Sequence, residues 1–422
     1  MCQKHRQVNK GSLNYSQLKF LTLPATPEKL WTRSFISACI GNFLLFFAFY
    51  MLVPVFPLLL IEKFDASKSL VGLVLASYTV AALLIRPFAG FVLDMVYRKP
   101  VYIAAYLLFV LTFVGYPLVH AVGLFLFFRI LHGFTFGFVT TAGNSLVVDI
   151  LPSARRGEGL GYFGVANNLA MSVGPMSGLM LHESYSFDVI FYTAIGAGLA
   201  GFLFATGIKA RNMSGQNKQQ PVALDRFFLV KGTKAGISLM FMGVPYGMLV
   251  TYVAIYGMEI GIKSGAGIFF SLMAVGLIIS RLFGGRMVDR GKLVLAIGAG
   301  TFICVLAFLL LPVLKFLSSP ILIGFIFYLI SLIMGLGYGM IFPAYNTLFV
   351  NLAPHNRRAT ASSTYMTSWD IGVGVGLVSG GWIADSAGGL QMAYFTGGIV
   401  ALMSFFYFIK IAGPHFLKNK LR

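Results

Sequence analysis

The chain has 422 residues, of which 58% are hydrophobic, 15% aromatic and only 11% charged, with a formal net charge of +19. Soluble domains carry about 25% charged residues, so this composition, with a mean hydropathy of +0.83, excludes an ordinary soluble fold and reads as an integral membrane protein. The basic balance does not point to nucleic acid, because the cations sit in short stretches between apolar runs rather than on a soluble surface.

In chain order, residues 1–33 form a polar, basic tail (Lys4, Arg6, Lys10, Lys19, Lys29, Arg33) with no apolar run, which argues against a cleavable secretory signal. Twelve apolar segments follow, at 34–61, 69–93, 100–119, 121–148, 159–181, 189–208, 235–258, 264–288, 293–314, 320–350, 359–384 and 388–410. A helix needs about 20 residues to cross a bilayer core. Segments of this length without polar/apolar alternation predict helices rather than barrel strands, since a helix satisfies its own backbone groups in lipid. The expected fold is therefore an all-α integral membrane protein with twelve transmembrane helices.

The cations set the expected orientation. Lys63, Lys68, Lys263 and Lys315 fall on one side and Arg86, Arg129 and Arg281 within segments, while the remaining 25 of the 32 Lys and Arg fall on the side of the termini. The positive-inside rule then places both termini in the cytoplasm of a multi-pass inner (plasma) membrane protein. Cys2, Cys39 and Cys304 have neither metal-ligand nor CxxC spacing, so no metal or cofactor is expected.

The chain also repeats. Arg86, Gly90 and Asp94 recur 195 residues later as Arg281, Gly285 and Asp289, and the stretch from Asn144 to Arg156 recurs 202 residues later from Asn346 to Arg358. The polar, basic stretch 209–234 reads as a cytoplasmic linker. The organisation expected is a tail (1–33), a six-helix bundle (34–208), the linker (209–234), a second six-helix bundle (235–411) and a basic tail (412–422). Parallel repeats of this kind imply halves related by an axis along the membrane normal, as in alternating-access carriers.

With these residues in view the chain resembles the major facilitator superfamily from about residue 34 to 411. Gly90, Asp94, Arg98 and Lys99 match the family signature between its second and third helices, with Met95 and Tyr97 as departures, and Gly285, Asp289 and Arg290 match it again in the second half. The chain is also similar to the drug:proton antiporter branch. Pro54-Val55-Phe56-Pro57, then Arg129 with His132 and Gly133, then Gly174, Pro175 and Gly178 stand where that branch has its first-, fourth- and fifth-helix patterns, although His132 replaces a glutamine and Ala170 and Leu179 replace glycines. Arg86-Pro87 ahead of the first signature resembles the arabinose-efflux-permease-like members. The resemblance implies a twelve-helix exporter and a gating role for the signature residues.

Several residues carry chemistry of their own. Asp370 is the only acid deep in a span, twelve residues after Arg358 and hence about 18 Å along its helix. Such a carboxylate faces a cavity, pairs or protonates, which makes it the candidate for proton coupling, against a purely structural role; its repeat counterpart is Asn168. Arg129 lies about 12 Å into the fourth helix with His132 one turn later, where the pair either modulates and carries protons or forms a packed scaffold. Arg86 and Arg281 read as snorkelling cations or as braces around the signature aspartates. Asp94 and Asp289 act either as gating latches or as static caps. The glycines of the fifth and eleventh helices, including Gly372, Gly374, Gly376, Gly380 and Gly381, read as a small-residue seam between the halves. Tyr50, Phe136, Tyr246, Tyr252 and Tyr338, with Asn168, are candidates for a substrate cavity.

No P-loop is present, so a gradient must drive any active transport. The function expected is secondary active transport by alternating access, as proton-coupled efflux of small, partly hydrophobic or amphiphilic compounds; the alternative is a proton-coupled uptake symporter for a sugar, peptide or organic acid. The partners expected are a small-molecule substrate, protons and the lipid bilayer, with no nucleic acid, for a monomer that is not an enzyme.

Overall fold

A computed structural model describes residues 29–152, 155–210, 228–262, 265–354, 357–386 and 388–421. Most of the N-terminal tail and the 211–227 part of the expected linker therefore lie outside the described residues. Among those described, the chain is helical and has no strand. The helices are α1 (Arg33–Phe64), α2 (Lys68–Met95), α3 (Arg98–Gly115), α4 (Val122–Ile150), α5 (Arg156–Ser184) and α6 (Phe187–Thr206), then α7 (Thr233–Glu259), α8 (Ala266–Asp289), α9 (Leu293–Leu310), α10 (Pro320–Leu352), α11 (Arg358–Ser386) and α12 (Gly389–Tyr407). A short α13 (Gly413–Asn419) ends the chain, and the Leu421 amide ties the residues after it to the Asn351 carbonyl at 2.9 Å.

Local sequence explains where these helices start and bend. Thr32 and Ser67 accept from the Phe35 and Leu70 amides at 3.2 Å, so each caps donors that a helix start leaves open. Pro54 lacks an N–H, and α1 breaks there into Arg33–Leu52 and Val55–Phe64. Pro175, Pro245 and Pro343 sit inside α5, α7 and α10. In lipid such positions are tolerated because neighbouring helices cover the freed backbone groups.

The packing follows one scheme twice. In the first six helices α1 packs on α5 and α6, α2 on α4, and α3 on α4 and α6; in the second six α7 packs on α11 and α12, α8 on α10, and α9 on α10 and α12. The main contacts joining the groups are α2 on α11 and α5 on α8, which are each other's counterparts, and the Val55–Phe64 part of α1 also touches α7. Nine described helices are long and apolar enough to cross a membrane; α5 and α11 are not among them, and in α8 the continuous stretch whose side chains are described, Gly267–Ser280, is apolar. Like α2 and α8, α5 and α11 pack on the other group as well as within their own, so protein covers more than one of their faces and polar residues are tolerated there.

The glycine seam expected between the halves is corrected in part. Gly174 and Gly178 of α5 face Tyr50 and Met51 of α1, and Gly372 and Gly376 of α11 face Met240, Gly243 and Val244 of α7, all within one group. Gly374 and Gly381 do face α2, at Thr79 and Lys68. Close backbone approaches occur where α1 crosses α5 and α7 crosses α11, and also between the groups, where Gly381 and Gly72 meet the Lys68 and Leu377 carbonyls, and glycine is needed at such points because a Cβ would meet a carbonyl oxygen. Replacing Gly178 with Ala drives a methyl into the Met51 carbonyl and is expected to cost about 1–3 kcal/mol. The check is the melting temperature of the purified protein in detergent, which should fall; an unchanged value would mean that α1 and α5 separate without cost.

Candidate functional site

Where α2 crosses α11, Arg86 Nη2 lies 2.6 Å from Asp370 Oδ2, with the side chains 14% and 29% exposed. The pair bridges the two helix groups. Its depth gives it weight, because charges held away from water are tolerated only when paired. Arg86 Nη1 finds no partner among the described residues. Tyr50 of α1 and Tyr78 of α2 lie within electrostatic reach of both Arg86 and Asp370.

Tyr78 continues the site into the first group, where the Arg129 guanidinium sits 4.7 Å from its ring centre and 4.9 Å from that of Phe56. Arg129 is 3% exposed, donates from Nη2 to the Leu75 carbonyl at 3.4 Å, and leaves Nε and Nη1 without a described partner. One turn on, His132 Nδ1 and the Tyr116 hydroxyl share a hydrogen bond of 2.9 Å, while His132 Nε2 is buried without one. Phe49, Phe109 and Phe113 pack around the imidazole, and Phe136 stacks on Phe49 at 4.6 Å. The second group holds an aromatic cluster of its own, in which Tyr246, Tyr338, Phe342 and Trp369 lie with ring centres 4.9–6.1 Å apart.

The candidates from the sequence are thus distributed over several places. Asp370, Tyr50, Arg129, His132 and Phe136 gather around α1, α2, α4 and α11, and Tyr246 and Tyr338 gather on α7 and α10. Asn168 is half-buried on α5, its carbonyl accepting from Ser172 Oγ at 3.1 Å. Tyr252 stands apart from the other tyrosines: its hydroxyl donates to the Lys68 and Leu377 carbonyls at 3.2 and 2.9 Å, in the joint between the groups. Arg98 pairs with Asp149 of α4 at 2.7 Å and its Nε reaches the Leu93 carbonyl. Lys99 and Gly90 are half-buried and Arg290 is exposed. The side chains of Asp94 and Asp289 and the surroundings of Gly285 lie outside the described residues. Sequence reasoning missed Arg86 as the partner of Asp370, missed Tyr78, Trp369, Glu259 and Asp385 altogether, and read Lys68 only as a cation that sets orientation. Opposite charges at mid-depth were the one signal for the first, and nothing in the sequence states that α2 and α11 are neighbours.

The two groups are also tied at the end where α2 begins. Asp385, next to the last residue of α11, accepts from the Lys68 and Ser69 amides at 3.3 and 2.6 Å, so its carboxylate caps α2. Lys68 Nζ meets Glu259 Oε1 at 2.7 Å. On the other side of the joint Glu183 accepts from the Gly265 amide at 2.6 Å. These contacts close this end of the molecule around Tyr252.

Comparison with known proteins gives one family. The Major Facilitator Superfamily model matches residues 38–377 and 325–420. The staphylopine export protein of Staphylococcus aureus (strain Mu50) is 21% identical over 382 residues, covering 88% of this chain and 94% of that protein. The multi-drug resistance efflux pump PmrA of Streptococcus pneumoniae serotype 4 is 24% identical over 399 residues, covering 90% and 96%. Among solved structures, the nucleoside transporter NupG superposes with a TM-score of 0.69 at 14% identity, covering 90% of this chain and 98% of that one.

The Asp385 cap has a defined pH behaviour. Partial burial pushes its carboxyl up, but hydrogen bonds from Ser69 and the Lys68 amide, with the Lys68 charge, outweigh burial and hold it below the ordinary carboxylate range. A depressed value means that the cap is fully formed above the usual Asp pKa of about 3.9 and is lost only as pH falls through the lowered one. The Asp385 contribution to closure is therefore constant from neutral pH down to about 5. Spin labels at Ser67 and Ser386 should report one short distance across that range, and Asp385→Asn should lengthen it at every pH. A wild-type distance that grows between pH 7 and 5 while Asp385→Asn stays short would contradict this.

Proposed function

The chain belongs to the Major Facilitator Superfamily, and from that premise we propose that it is a proton-coupled exporter of small, partly hydrophobic or amphiphilic compounds that works by alternating access. It is a multi-pass membrane transporter and not an enzyme. The finer reading takes α5, α8 and α11 as crossing the bilayer with the nine more apolar helices, both termini as cytoplasmic, the cell inner membrane as its place and the monomer as its working unit. The end tied by Asp385, Lys68 and Glu259 is then the outer face, shut in this conformation. The relatives named above as an export protein and an efflux pump favour outward transport over uptake.

One observation carries the coupling: the Arg86–Asp370 pair at 2.6 Å lies between α2 and α11, the larger of the two main contacts between the groups. A protonated Asp370 can no longer neutralise Arg86, so the guanidinium loses its charge partner and the hold of α11 on α2 weakens at mid-depth. Proton binding and the parting of the groups are thereby one event. Arg98, Lys99 and Arg290, with Asp94, Asp289, Gly90 and Gly285, belong to the opposite, cytoplasmic gate in this reading, and open space around Gly90 leaves room for it to close.

The test is Asp370→Asn in proteoliposomes with an imposed pH gradient. The substitution keeps the shape and removes the titration, so proton-linked transport should be abolished while the purified protein keeps its elution profile and helical content. Fully retained coupling would remove Asp370 from the mechanism.

A further inference from the structure

Building on the transporter reading, we infer that Arg129 is the anchor for a negatively charged group on the transported compound, and that the substrates are amphiphilic anions such as carboxylates with an apolar body. The starting point is charge balance. Of the 13 Asp and Glu in the chain, Asp370 alone lies deep in a span, against Arg86, Arg129 and Arg281. Arg86 takes that carboxylate. Arg129 forms no ion pair among the described residues, although it is almost completely buried.

A guanidinium in that position needs an anion, because an uncompensated charge in a water-poor interior is among the costliest features a fold can carry. Ordered water could satisfy its N–H groups but not its charge. The Leu75 carbonyl at 3.4 Å is a long contact, the Tyr116 hydroxyl within reach is neutral, and Nε and Nη1 have no hydrogen bond among the described residues. Arg Nε and Nη atoms donate only, in a planar fork that matches a carboxylate. His132 Nε2, also buried and unpartnered one turn away, offers a further polar atom to the same ligand.

The surroundings specify the rest of the molecule. Phe56 and Tyr78 flank the guanidinium, and Phe49 and Phe136 lie beyond them against His132 and Tyr78. Aromatic walls with a few convergent polar atoms are the make-up of a site for a partly apolar ligand. Tyr78 is also within electrostatic reach of Asp370, so an anion at Arg129 would share its field with the coupling carboxylate.

The experiment uses the purified full chain in detergent and two probes of one shape, 1-naphthoate and its uncharged amide 1-naphthamide, read by thermal unfolding. Naphthoate should raise the melting temperature in a dose-dependent way, with the amide weaker by about tenfold, one charge-assisted contact's worth. Arg129→Gln should abolish the preference and, without probe, melt at the same or a higher temperature, because it removes an unpaired charge; a merely structural arginine would lower it. Should Arg129→Gln fail to fold, Arg129→Lys keeps the charge without the fork and should bind naphthoate several-fold more weakly. Equal binding of the two probes, a preference that survives Arg129→Gln, or stabilisation reproduced in full by sodium chloride would each overturn the inference. Binding requires no gradient, so naphthoate binding without proton-linked flux would fail the coupled-export reading and leave the anion site standing.

Discussion

Placement of charge in a low-dielectric interior governs this molecule. Its carboxylates are spent almost entirely at helix ends: Asp149 holds Arg98, Glu259 holds Lys68, Asp385 caps α2 and Glu183 caps the start of α8. Asp370 is the exception, and its partner is on the other helix group. The same two helices, α2 and α11, therefore carry two polar ties, one at Ser69 and one at Arg86. Seventeen residues separate them, about 25 Å along α2, so the joint is pinned at one end and at mid-depth. Any rocking of one group against the other must break the two ties together or hinge between them.

The repeat shows how the halves have diverged around that joint. At the offset of 202 residues Phe136 corresponds to Tyr338, and both belong to aromatic clusters. At the same offset Arg129 corresponds to Ser331 and His132 to Met334, both fully buried and uncharged, while Asp370 corresponds to Asn168. The first half carries the buried Arg129 and His132 and the second the half-buried Asp370. At these positions apolar packing, which only needs volume and shape, is repeated; Arg129, His132 and Asp370, which are costly unless each has a task, are not, although Arg86 and Asp94 do recur as Arg281 and Asp289.

The sequence made the fold legible because its signal is additive. Every predicted segment overlaps a described helix, since an apolar run of that length has few other options in lipid. The repeats placed by Asp94 and Asp289 agree with a packing scheme that occurs twice. Side-chain direction was not legible. Arg86 read as a snorkelling or bracing cation because its neighbours in sequence lead to the helix end, whereas the helix turns it toward α11. Tyr252 read as cavity lining with Tyr246 and Tyr338, yet six residues beyond Tyr246 is well over a helical turn higher, and that rise carries it into the joint. The glycines of α5 and α11 were visible as small-residue faces, but the partner of each face depends on a rotation about the helix axis that composition does not fix.

The two helices of lowest apolar content, α5 and α11, turn that ambiguity into an argument about motion. α5, α8 and α11 each touch both their own group and the other, as does α2. A helix wholly exposed to lipid on its outer face is held to a long apolar run, whereas one that faces protein on several sides is free to carry Asn167, Asn168 and Ser172 on α5 or Ser368 and Asp370 on α11. If the groups part, these are the surfaces that lose their covering, and polar side chains there lower the cost of meeting water. Strict hydrophobicity at the joint would weld the groups, since apolar surface once buried resists re-exposure. Sparse polarity along α5 and α11, with the one carboxylate among it, is what allows the joint to be both closed and reversible.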